Sequence, residues 1–129
     1  MTTDSITHDL EEIQGTWKQI GYERDGVTEP LDEQGWEPRV TFSGNTFVVT
    51  LADGSVPIKG TFKLDPMQEP KSMDLTDTFG ADAGKTFLAI YLLHGDRLVF
   101  CASDEGQDRP SSFETMPGHV LRVNQRVVV

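Results

Sequence analysis

The stretch RVTFSGNTFVVTLADGSVPIKGTFKL, residues 39–64, holds two tight-turn signals one strand apart. Gly44-Asn45 is a two-residue hairpin signal, and it pairs Phe42 with Phe47 and Val40 with Val49. Asp53-Gly54 is a second, and it pairs Leu51 with Val56 and Val49 with Ile58. Both turns therefore put Val40, Phe42, Phe47, Val49, Leu51, Val56 and Ile58 on one face, and alternation adds Gly60, Phe62 and Leu64. The other face of the third strand carries Ser55, Lys59, Thr61 and Lys63, a set that belongs in water. A one-residue slip at either turn would send the two apolar sets to opposite sides. Two local signals thus agree about one inside across three strands.

The same reading extends in both directions. Downstream, Asp65-Pro66 opens a wider loop, and Met73 and Leu75 in KSMDLTDT continue the apolar face. The glycine-rich FGADAGK precedes a long strand from Lys85 to His94. Gly95-Asp96 is a third two-residue turn, pairing Leu93 with Leu98 and Tyr91 with Phe100. Phe87, Ala89, Tyr91, Leu93, Leu98, Phe100 and Ala102 then face inward, because the opposite face carries Arg97. A polar loop (Ser103 to Pro110), a short strand (Ser112 to Thr115) and a closing strand (His119 to Val128) complete the chain. Upstream, Thr7 is placed to cap a short helix over 7–14, with Leu10 and Ile13 three apart and Asp9, Glu11 and Glu12 in its first turns. Gly15 ends it, and the strands GTWKQIGYER and WEPRVTF follow.

This adds up to eight or nine antiparallel strands in meander order. An open sheet of that size would leave two bare edges, and closure removes them. The expected fold is all-β: an up-and-down antiparallel barrel over residues 15–128 behind a short N-terminal helix. At 129 residues the chain suits a single domain (1–129), large enough to bury roughly two-thirds of its unfolded surface.

Composition narrows the partners. With 21 acidic and 11 basic residues the net charge is −10, which repels phosphate backbones and anionic lipid, so neither nucleic acid nor membrane is an expected partner. The longest apolar run, Phe87 to Leu93, is the length of a strand, not of a membrane span. One cysteine, Cys101, allows no internal disulfide. MTTDSITHDLEEI carries acids where a secretory leader needs a basic start, so the expected location is cytoplasmic.

The helix leading into Gly15-Thr16-Trp17 resembles the Gly-x-Trp signature of lipocalins and the wider calycin superfamily. More specifically, QGTWK (14–18), KGTFKLDP (59–66), PKSMDL (70–75), GKTFLAIYLLHGDRL (84–98) and RPSSFET (109–115) resemble a little-characterised bacterial family of lipocalin-like domains common in planctomycetes. That family has no assigned biochemical activity, so the resemblance implies a fold and no reaction. It also implies that Trp17 sits across the closed barrel end under an arginine from the last strand, Arg126 or alternatively Arg122. A guanidinium over an indole makes a cation–π contact there. Leu92 and Val99 depart from the pattern by standing where polar residues are expected, and many relatives look secreted where this chain does not.

No catalytic constellation is visible. Gly-x-Ser-x-Gly and phosphate-cradling glycine loops are absent, and His8, His94 and His119 lack ligand spacing, so no metal or cofactor is expected. Cys101 reads as a small apolar strand residue, and Asp108 with Arg109 as an exposed pair worth about 0–1 kcal/mol. The candidate ligand-binding set is the inward group Phe42, Phe47, Val49, Ile58, Phe62, Met73, Phe87, Tyr91 and Phe100. These residues either fill the barrel or line a cavity for one small apolar molecule, and both outcomes need the same alternation. In the binding reading Tyr91, with Arg126 or Trp17, orients the ligand. The alternative is a protein–protein interaction module with a filled barrel. There, Leu88, Ile90, Leu92 and Val99 form an outer stripe that is either covered by the helix or forms a homodimer surface. A barrel enzyme of isomerase or cyclase type ranks last.

Overall fold

The structure, a computed structural model, describes residues 2–28 and 38–127. Trp36 and Glu37 of the expected WEPRVTF strand, and Val128 at the end of the closing strand, lie outside the described residues. Among the described residues the chain forms one helix, α1 (Thr2–Ile13), and nine strands. These are β1 (Gly15–Arg24), β2 (Val27–Thr28), β3 (Arg39–Ser43), β4 (Thr46–Thr50), β5 (Ile58–Asp65), β6 (Ser72–Phe79), β7 (Thr86–His94), β8 (Arg97–Ser103) and β9 (His119–Arg126). From β3 onward each strand pairs antiparallel with the next, and β1 bonds to both β3 and β9. Eight strands therefore close on themselves, and the two-residue β2 hangs on β1 as an appendage.

The hairpin registers follow from their turn chemistry. Phe42 faces Phe47 and Val40 faces Val49; Tyr91 faces Phe100 and Leu93 faces Leu98. Gly44 (φ 62°) and Gly95 (φ 58°) occupy the left-handed first position of these turns, which only glycine takes without strain. Val49 also faces Ile58, but Leu51 does not pair with Val56. Instead the Gly54 N–H donates to the Leu51 carbonyl and the Leu51 N–H to the Ser55 carbonyl. The loop is thus one residue longer than expected, and Pro57, lacking an N–H, delays the ladder until Ile58.

Three other expectations change. Helix α1 begins before Thr7, which lies in mid-helix and caps nothing. No strand forms over 112–115; β8 is already paired on both sides, so a closed barrel offers that segment no edge. The connection from β8 to β9 becomes a strap across the outside of the barrel instead. At one end Arg109 donates to the carbonyls of Met73 (3.2 Å) and Ala89 (2.8 Å) and pairs with Asp74 at 2.6 Å, not with Asp108. At the other, the Thr115 hydroxyl donates to the Glu23 carboxylate and accepts the Gly26 N–H. Beneath the strap, the outward-facing Ile90 and Cys101 are buried.

β1 carries a bulge that changes its phase. Gln19 faces Asn124 and Gly21 faces Val123, leaving Ile20 as the extra residue. Trp17 and Gln19 point inward before the bulge, Tyr22 and Arg24 after it.

Candidate functional site

One end of the barrel is sealed by α1. Ile13, fully buried, and Leu10 pack against the interior cluster of Trp17, Phe42, Phe62, Leu64, Tyr91 and Leu98. The helix therefore closes the barrel end and does not cover the outer stripe. A helix leaves its last carbonyls unpaired, and here each of them finds a donor. Gln14 Nε2 donates to Leu10 O (3.0 Å), and Arg126 donates to Glu12 O (2.6 Å) and Gln14 O (3.0 Å). Trp17 Nε1 donates to Ile13 O at 2.8 Å. Arg126 also lies 4.3 Å from the Trp17 ring centre and is its register partner. At the other side of the helix the Tyr91 hydroxyl donates to Asp9 Oδ2 at 2.6 Å, and Lys71 Nζ meets the same oxygen at 3.0 Å. Burial, then the bond to Asp9, pushes the Tyr91 phenol above its ordinary range. Its hydroxyl is committed to holding the helix.

Away from this seal the barrel is hollow. A cavity of about 770 Å³ runs to the opposite end, within the 300–1,000 Å³ typical of ligand pockets. Of the expected set, Phe42, Phe47, Val49, Ile58, Met73, Phe87 and Phe100 line it; Phe62 and Tyr91 belong to the sealed half. Trp17 and Arg126 also lie at the seal. So the barrel is neither filled nor empty: the helix half is packed and the other half is open.

The walls also carry polar groups, of which the sequence names only Arg122, and that as an alternative partner for Trp17. β9 contributes Arg122 and Asn124, and β1 contributes Gln19, Tyr22 and Arg24. They form layers. Gln19 sits opposite Asn124 and Tyr22 opposite Arg122, which in turn faces Phe100. The Arg122 guanidinium lies 5.3 Å from the Tyr22 ring centre. Burial, with repulsion from Arg24, pushes its pKa below the ordinary value. Among the described residues it makes no ion pair and no side-chain hydrogen bond. At the rim stands Asp77, whose carboxyl is pushed up by burial and by Asp82. One signal for this wall was present: Trp17 paired with Arg126 requires Asn124 and Arg122, two and four residues away, to face inward too.

A second hollow of about 520 Å³ lies outside the barrel between the strap and the β5–β6 loop. Its arginine, Arg109, is already paired with Asp74, so the interior cavity is the better site. Among the described residues no three His, Cys, Asp or Glu side chains converge as metal ligands. His119 Nδ1 accepts the Met116 N–H (3.2 Å), while His8 and His94 are exposed. Of the outer stripe, Ile90 lies under the strap and only Leu92 is exposed, at 54%. Among the described residues no helix is long and apolar enough to cross a membrane. No protein-family model matches the chain, and no curated protein matches it in sequence.

Proposed function

We propose that the barrel binds a small, largely apolar molecule in its open half, as a lipocalin-like carrier or receptor. The observation that carries this reading is the 770 Å³ cavity whose far end is sealed by a pinned helix. Phe42, Phe47, Val49, Ile58, Met73, Phe87 and Phe100 would supply affinity through apolar burial, at about 25 cal/mol per Å² removed from water. The closed eight-stranded architecture and its N-terminal helix support the lipocalin-like resemblance carried by Gly15-Thr16-Trp17 and Arg126. A lone, buried Cys101 suits a reducing compartment such as the cytoplasm.

The test is thermal unfolding with a neutral apolar fluorophore, N-phenyl-1-naphthylamine. A ligand at about a hundredfold over its Kd stabilises the native state by about 2.7 kcal/mol, raising Tm by on the order of 10 °C in a chain of this size. Ala102→Trp, which projects an indole into the cavity, is expected to abolish both the shift and the fluorescence gain while the variant stays folded. No shift with the native protein would overturn the proposal.

A further inference from the structure

The cavity is not uniformly apolar, and its polar wall is uneven in charge. Three arginines line it: Arg24, Arg39 and Arg122. Arg24 is paired with Asp104 at 3.5 Å, and Arg39 is exposed at the mouth. Arg122 differs from both. It stands on the inner face of β9, a layer deeper than Arg24, between Tyr22 and Phe100. Among the described residues no carboxylate lies within 4 Å of it.

An unmatched charge in a partly dry interior is unfavourable, and its two possible remedies differ by residue type. A carboxyl such as Asp77 relieves itself by keeping a proton. A guanidinium does not release its proton under protein conditions, so it needs a counter-anion. The chain as a whole carries −10, so an anion is repelled at long range, and any preference for one must be built inside the cavity. Arg122 presents a planar fork of donors, which matches the two oxygens of a carboxylate. Apolar walls surround it: Phe47, Val49, Ile58, Phe87 and Phe100.

We propose that the cavity takes an amphiphile with one carboxylate head, held by Arg122 while the apolar tail lies along the phenylalanine wall. This rests on the carrier reading above and specifies its ligand class. Tyr22 acts as a positioning residue, its ring fixing the guanidinium through the face-on contact.

The experiment compares dodecanoate, dodecan-1-ol and dodecylammonium by displacement of N-phenyl-1-naphthylamine from the full chain, below their micelle concentrations. Dodecanoate is expected to bind at least tenfold more tightly than the alcohol. In Arg122→Gln that preference falls below twofold; Arg122→Lys keeps part of it, and Arg97→Gln, exposed and outside the cavity, keeps all. Alcohol binding equal to carboxylate binding would overturn the head-group assignment and leave the carrier reading standing. So would a preference for dodecylammonium, which would move the charged contact to Asp77, or a carboxylate preference that survives Arg122→Gln. If none of the three displaces the fluorophore and the fluorophore itself does not bind, the carrier reading beneath it fails. Should the glutamine variant not fold, the wild-type comparison of the three head groups still decides.

Discussion

Replacing Tyr91 by Phe separates a latch from a ligand contact. The substitution deletes one oxygen and keeps the ring in its packing place. That oxygen donates to Asp9 at 2.6 Å, and Asp9 is only 4% exposed. A hydrogen bond to a charged group contributes about 1.5–3 kcal/mol. Asp9 retains Lys71 at 3.0 Å but loses its shorter partner in a buried setting, so the expected loss lies in the upper half, about 2–3 kcal/mol. At roughly 3–4 °C per kcal/mol for a chain of this length, Tm falls by roughly 6–12 °C. The assay is circular dichroism on heating, followed by fluorophore titration at 15 °C, where both proteins are folded. Because Tyr91 is absent from the cavity wall, Kd should change less than twofold. A double-mutant cycle with Asp9→Asn should return a coupling above about 1 kcal/mol. A Tm within 2 °C of wild type, or a tenfold loss of affinity at unchanged Tm, would refute the assignment of Tyr91 to the seal.

Two further substitutions follow from the cavity and its walls. Asp77 ionises with difficulty, its carboxyl raised from 3.8 by burial and by Asp82. The native state therefore holds that proton to higher pH than the unfolded chain, and stability declines as pH rises through the raised value. Asp77→Asn should accordingly melt higher than wild type at pH 7, with the advantage gone below pH 3.8; a lower Tm at neutral pH would contradict this. Gly60→Ala would set a methyl 2.2 Å from the Thr76 carbonyl oxygen and 2.7 Å from the Phe47 ring. Overpacking of that kind costs at least about 1–3 kcal/mol, so the urea midpoint should drop visibly, and a wild-type midpoint would show that the wall yields there.

Much of the barrel is legible because its turns are local. Gly44-Asn45 and Gly95-Asp96 each set a register through two residues, and the closed sheet follows from repeating that step. Asp25-Gly26 is the same kind of signal, with both residues at positive φ, yet β2 was not anticipated because its two residues leave no alternating run to read. The strap was illegible for the opposite reason. Its course depends on Arg109 and Thr115 reaching groups 35 and 92 positions away, and nothing in RPSSFET encodes those partners locally. The apolar half of the site was readable from alternation. The charged half was legible only indirectly: Arg122 and Asn124 on a strand ordinarily mark the wet face, and it takes Arg126 set against Trp17 across the barrel closure to turn them inward. The bond from Tyr91 to Asp9 was illegible because Asp9 sits on a helix whose docking no periodicity reports.

The extra residue Ile20 gives one strand two opposite parities. Toward the helix, odd positions of β1 look inward and belong to the seal; toward the mouth, even positions do, and they belong to the cavity. Removing that single residue would leave Gln19 opposite Asn124 and Gly21 opposite Val123 in an unbroken ladder, with Tyr22 and Arg24 still inside and Glu23 still outside beside Thr115. The inward set of β1 therefore survives loss of the bulge. What Ile20 supplies is local, a bend and added twist at the level where the sealed half of the barrel gives way to the open half.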